Sequence, residues 1–131
     1  MAANTNPIFE LIPISEGHQL VNGDGTTLQT ILTAGAEGSR IDGIFISSDD
    51  TVDRNLAFYI NNGATDFYIG NVAVPAGSGY TTVVRVDALA TLKPAYLNFL
   101  VLHHAYLLKC GAVVAITAAK TVTVLAMGGD F

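Results

Sequence analysis

Short runs in which apolar residues alternate with polar ones, or follow one another unbroken, succeed each other along almost the whole chain, each ended by Gly, Asn, Asp or Pro. Alternation with a period of two marks a strand buried on one face, and an unbroken apolar run marks a strand covered on both. The runs predict strands over 9–14, 27–33, 40–48, 56–61, 66–74, 80–86, 97–102, 106–108, 112–117 and 121–127. Only Val86-Asp87-Ala88-Leu89-Ala90-Thr91-Leu92, stopped by Lys93-Pro94, has helical spacing, and it reads as a crossover between sheets. So many short strands in 131 residues close their edges most simply as two packed sheets. The expected fold is therefore all-β, an antiparallel two-sheet β-sandwich of jelly-roll topology. Residues 9–131 make one domain, and residues 1–8 an extended amino-terminal arm.

The clearest hairpin joins Leu56-Ala57-Phe58-Tyr59-Ile60 to Phe67-Tyr68-Ile69 through Asn61-Asn62-Gly63, because Asn-Gly accepts the positive φ of a tight turn. Its alternation sets Leu56, Phe58 and Ile60 on one face and Tyr59 on the other, opposite Tyr68. Further turns are expected at Asn22-Gly23-Asp24-Gly25 and at Pro75-Ala76-Gly77-Ser78-Gly79. Two stretches, Ile44-Phe45-Ile46 and Asn98-Phe99-Leu100-Val101-Leu102, are apolar on both faces, as in strands lying inside a sandwich or under a partner subunit. Leu56, Phe58, Ile60, Phe99, Val101, Val114, Ile116 and Val124 are the predicted core.

Half of the residues are apolar and only 13% are charged, about half the usual share of charge. Much of the surface is thus expected to meet protein and not water, and a homo-oligomer is expected, a trimer ahead of a dimer. The six Lys and Arg are scattered and the net charge is −5, which disfavours nucleic acid and anionic membrane surfaces. The longest uncharged run, Pro94 to Leu108, is too short and too polar for a membrane-spanning helix. The amino terminus lacks the basic start of a signal peptide, so an intracellular, soluble product is expected. Cys110 stands alone among apolar neighbours and reads as an inert buried thiol.

No residue pattern points to catalysis or to a cofactor. His103 and His104 are the first metal suspects, but neighbours in a strand face opposite ways, which leaves one partly buried and one at an interface. His18 is isolated and is expected in a loop. Asp49, Asp50 and Asp53 bunch like a cation site but lack the Gly and Glu of an EF-hand loop, and read as a solvated turn with capping carboxylates. Gly77-Ser78-Gly79 lacks the flanks of a nucleophile elbow and reads as a flexible loop, and Gly35-Ala36-Glu37-Gly38 is no phosphate cradle. The expectation is a non-enzyme without metal or cofactor.

Three segments, Thr5-Asn6-Pro7-Ile8-Phe9, Thr33-Ala34-Gly35-Ala36-Glu37-Gly38-Ser39-Arg40-Ile41-Asp42 and Gly128-Gly129-Asp130-Phe131, resemble small capsid-associated proteins of tailed bacteriophages. The resemblance implies a cement or decoration protein, a jelly-roll subunit on the outside of a phage head that clamps the major capsid protein. Made in the bacterial cytoplasm, it would end up on the virion. On that reading the contact residues are Asn4, Thr5, Asn6 and Pro7 of the arm, Arg40 and Asp42 as ionic anchors, and Asp130 and Phe131 at the end of the chain. The alternative is a head- or tail-fibre domain that binds a receptor glycan, with Tyr59, Phe67, Tyr68 and Tyr80 as a stacking platform.

Overall fold

The computed structural model describes residues 12–131. The arm predicted over 1–8, with Asn4, Thr5, Asn6 and Pro7, and the first part of the 9–14 strand lie outside the described residues. The strands are β1 (Ile12–Val21), β2 (Gln29–Thr33), β3 (Ser39–Ser48), β4 (Arg54–Asn61), β5 (Asp66–Val74), β6 (Val86–Asp87), β7 (Leu100–Leu102), β8 (Leu107–Ala112) and β9 (Thr121–Asp130), with a 3-10 turn at Asn22–Asp24 and an α-helical turn, α1 (Leu89–Leu92). They form the expected sandwich of two antiparallel sheets. One runs β1-β9-β3-β6, with β7 also on β3, and the other β2-β8-β4-β5. β7 pairs with Ser39–Ile41 and β6 with Phe45 and Ile46, so two short strands share β3 as their partner. The chain changes sheet at most connections and stays within one only across β4–β5 and β6–β7.

Strand alternation builds the core. Ile44 and Ile46 of β3 and Val122, Val124 and Ala126 of β9 face Leu56 and Phe58 of β4 and Leu108 and Cys110 of β8, all fully or almost fully buried. Each large side chain so covered contributes about 1.5–3 kcal/mol. The seams are closed differently. On one side the crossover α1 buries Leu89 and Leu92 and touches β3 and β5. On the other, Glu16 of β1 accepts the Thr33 backbone N–H of β2 at 2.9 Å, occupying an edge-strand donor.

Several sequence expectations are corrected. β1 runs on through Glu16-Gly17-His18 to Val21, so His18 lies in a strand and not a loop. A Cβ at Gly17 would sit 2.4 Å from the Val124 carbonyl oxygen, so this glycine lets β1 lie close on β9. The strand expected over 80–86 shrinks to Val86–Asp87, because the preceding loop turns at Gly77 (φ 71°) and Gly79 (φ 80°). The strand expected over 112–117 does not form, since Ala112 ends β8 and 113–117 is irregular. The chain instead leaves β8 at Ala112, then brings Ile116 into the core and Thr117 to Asp50. Of the predicted core, Leu56, Phe58, Ile116 and Val124 are buried and Ile60 packs against them half-buried. Val101 is 55% exposed because Leu100 and Leu102 take the inward positions of β7, and Val114 is 62% exposed in the irregular segment. Phe99 is half-buried just before β7.

Candidate protein-binding face

The outward residues of β3 and β9 are the reverse side of the core alternation. Between inward Ile44 and Ile46, Phe45 points out, and between Val124 and Ala126 so does Leu125, its register partner. Phe45, Leu125 and Met127, with Ser47, Thr123 and Arg85, line a shallow groove of about 300 Å³. The Phe45 ring lies against Gly43, where a Cβ would come within 3.0 Å of it, and Arg85 stacks over the ring at 4.2 Å. Alongside, β1 sets Ser15, Gly17 and Gln19 opposite Met127, Leu125 and Thr123. The result is a sheet face that is small-residued at its edge and apolar at its centre.

This face leads to the corner where the predicted contact segments meet. Ser39, Arg40 and Ile41 pair with Asp130, Gly129 and Gly128, so the 34–42 segment and the carboxyl-terminal residues, far apart in sequence, are neighbours. Asp130, a predicted contact residue, is held by hydrogen bonds within the corner. The buried Ser39 hydroxyl donates to its carboxylate and itself accepts the Gly35 N–H at 2.9 Å, while the Phe131 N–H donates to the Gly38 carbonyl at 3.2 Å. Arg40 and Asp42 pair with each other at 2.7 Å, both about two-fifths exposed, and the Arg40 guanidinium lies 4.2 Å over the Phe99 ring. Val101, beside Arg40 in the register, is exposed.

His103 and His104 extend the same end of the molecule, and here the strand-based expectation fails. β7 stops at Leu102, so the pair sits in a turn that reverses at Ala105 (φ 62°), with both residues exposed and the rings 4.0 Å apart. Tyr106 lies 5.1 Å from the His103 ring. Among the described residues no three His, Cys, Asp or Glu gather as metal ligands.

At the opposite end the acidic turn has the capping carboxylates expected, at Asp49 and Asp53, but Asp50 is not solvated. Asp50 is buried and accepts from the Arg54 guanidinium at 2.8 Å, the Thr117 N–H at 3.0 Å, the Thr117 hydroxyl at 2.7 Å and the Val52 N–H at 3.1 Å. Burial works against its charge, but the Thr117, Arg54 and Val52 donors outweigh it and hold the carboxyl well below the usual carboxylate range. Asp49 caps the Thr121 N–H at 2.7 Å and Asp53 the Ala76 N–H at 2.8 Å. Three carboxylates thus tie three loops. Asp24 accepts the Val21 N–H and a hydrogen bond with His18, which in that order lower its pKa. Ser78 is buried, and its hydroxyl donates to the Pro75 carbonyl at 2.6 Å, so the expected flexible loop is a fixed one.

The Tyr59–Tyr68 cross-strand pair forms as expected, edge to face at 5.4 Å on the outside of the second sheet. Phe67 precedes Tyr68 in the strand and opposes Ile60, which packs on the core, so the two do not share a face. Tyr80 stands in the separate 75–85 loop. Cys110 is buried, which pushes its thiol up to about 12. No helix among the described residues is long and apolar enough to cross a membrane. Sequence reasoning missed the Phe45–Leu125–Met127 groove and the Asp50–Arg54–Thr117 network. The first was signalled by apolar residues at both parities of 122–127, and the second only by Arg54 standing four residues after Asp50. Compared with known protein families, curated proteins and solved structures, the chain matches none.

Proposed function

We propose that this protein is a structural component of a virion, a cement protein that binds the outer surface of a tailed-phage head and stabilises its lattice of major capsid protein. The reading assigns it no catalytic residue, metal or cofactor. The observation that carries it is the outward face of β1, β9 and β3, where half-buried Phe45 and the more exposed Leu125 and Met127 line a groove whose one charged lining residue is Arg85. Such a strip is suited to another protein surface. The Arg40–Asp42 pair, Phe99 and Val101 continue it to the corner holding Asp130 and Phe131.

The strand order supports the fold part of the proposal. With β6 and β7 taken as one interrupted strand on β3, the two sheets read 1-8-3-6 and 2-7-4-5 in the renumbered order, which supports the proposed jelly-roll topology. A homo-oligomer, trimer ahead of dimer, is proposed to present several such faces at once. Binding the assembled lattice and not free capsid subunits, each copy stabilises the shell by mass action, about 2.7 kcal/mol at a free concentration a hundred times Kd. Heads stripped of the protein and heated with and without it added back test this through genome release. Added protein should raise the release temperature. Equal release in both states, with no co-sedimentation of protein and shell, overturns the proposal and leaves a glycan-binding fibre domain as the reading to test.

A further inference from the structure

The chain contains two Asn-Gly pairs, Asn22-Gly23 and Asn62-Gly63, and the fold treats their side-chain amides in opposite ways. The Asn22 side-chain amide nitrogen donates to the Ile116 carbonyl at 2.7 Å, which ties this exposed residue, the first of a 3-10 turn (Asn22–Asp24) after β1, to the 113–120 segment. Asn62 sits exposed at the tip of the β4–β5 hairpin. Its Oδ1 accepts two backbone N–H groups, from Ala64 at 3.0 Å and Thr65 at 2.8 Å. Gly63 has φ +98° and nothing within 4 Å of the position a Cβ would occupy. The Gly63 N–H donates to the Asn61 Oδ1 at 2.7 Å, at an exposed site where water competes for it.

We propose that Asn62 is a site of spontaneous covalent modification, at which the folded hairpin converts asparagine to aspartate and isoaspartate. Solvent hydroxide takes the Gly63 N–H proton, the Gly63 nitrogen attacks the Asn62 Cγ, and an N–Cγ bond forms. The carbonyl electron pair moves to Oδ1, where the Ala64 and Thr65 N–H groups already point at the developing negative charge. This is the arrangement that lowers the barrier in an oxyanion hole. As the carbonyl re-forms, the Cγ–Nδ2 bond breaks and ammonia leaves with a proton from water. Water then opens the five-membered imide at either carbonyl, restoring the backbone or routing it through the side chain. The absence of a side chain at 63 leaves the ring unobstructed.

Folding ordinarily slows this reaction by holding asparagine away from the attacking geometry, as the Ile116 carbonyl does for Asn22. At Asn62 the turn supplies the acceptor-side donors instead. Registers Asn61↔Leu107 and Thr33↔Leu107 place the tip at the same end of the sandwich as the 34–42 corner. Modification therefore adds a negative charge at that end, close to Asp66, which accepts from the Asn61 side chain at 2.7 Å.

Folded protein, and protein unfolded in urea, incubated at mildly alkaline pH and mapped by peptide mass spectrometry with isoaspartate detection, test the proposal. In the folded protein Asn62 should gain one dalton at least as fast as in urea, and Asn22 about tenfold or more slower than Asn62, a barrier difference of about 1.4 kcal/mol. In urea the two sites should react at similar rates. Gly63→Ala should suppress reaction at 62. Because that change strains a positive φ, Asn62→Gln serves as the second variant, and should abolish the signal at 62 while leaving the slow Asn22 signal unchanged. Asn62 reacting more slowly folded than unfolded, or Asn22 keeping pace with it in the folded state, overturns the proposal.

Discussion

The two ends of the sandwich use the same chemistry for opposite purposes. At one end Asp50, Arg54 and Thr117 form a network in which the buried carboxylate accepts from the Arg54 Nε, the Thr117 N–H and the Thr117 hydroxyl, while the Arg54 Nη2 donates to that hydroxyl. At the other, Arg40 and Asp42 pair at much the same distance but both stay in water, with Phe99 and Val101 beside them. A buried charge deprived of its partner is strongly destabilising, whereas an exposed pair is worth little to stability. The first end therefore fixes the loops, and the second keeps its ion pair at the surface. Hydrogen-bonded geometry alone does not separate the two. Burial does.

The sharpest way to break this comparison is to remove one carboxylate from each end. Asp50→Ala should cost about 3–5 kcal/mol in urea unfolding, because Arg54 and the Thr117 N–H lose their acceptor inside the protein. Asp42→Ala should cost about 0–1 kcal/mol. Equal losses would erase the distinction. A parallel pair tests the apolar side: Phe58→Ala should cost about 3–5 kcal/mol, and Phe99→Ala, half-buried under Arg40, only about 1 kcal/mol.

Acid titration sharpens the comparison further. Asp50 has a folded pKa below its ordinary 3.8, so its contribution is complete above that value and is lost as pH falls beneath it, toward the folded pKa. The stability gap between the wild type and Asp50→Asn should shrink as pH drops below about 4, and a gap independent of pH would deny the carboxylate its role. The smallest expected effect is at Cys110. With its thiol pushed up to about 12 and no access to solvent, it should stay unlabelled by a thiol reagent at neutral pH until the protein unfolds.

Strand periodicity made the sandwich readable, because Leu56 and Phe58, or Val122 and Val124, announce one buried face whatever lies outside it. The 66–74 strand is predicted to the residue, and the Tyr59–Tyr68 pair follows from alternation across an Asn-Gly turn. Expectations failed where tertiary contacts, not local pattern, set the backbone. Val113 to Thr117 is rich in β-formers, yet Thr117 is drawn out of any ladder to bond Asp50 across the molecule. His18 stands amid polar residues that read as a loop, and lies in a strand because β9 offers an edge for β1 to pair with. Of the candidate site, the 33–42 and 128–131 segments named from sequence are neighbours through the pairing of Ser39–Ile41 with Gly128–Asp130, which no local pattern shows, and the Phe45–Leu125–Met127 groove likewise needed the register of β3 against β9.

The proposed function rests on the outward face of β1, β9 and β3 and not on the polar, tyrosine-bearing face of the second sheet. Co-sedimentation with stripped heads, comparing Leu125→Lys on the first face with Tyr68→Lys on the second, tests that claim most directly. Both side chains reach the surface, so both variants should fold, with urea midpoints lowered only by the loss of surface contacts to Phe45 and to Tyr59. Leu125→Lys should weaken shell binding by about tenfold or more, which is about 1.4 kcal/mol, and Tyr68→Lys should bind as the wild type does. Loss of binding in Tyr68→Lys with Leu125→Lys unaffected, or binding to the shell by neither variant nor wild type, would contradict it.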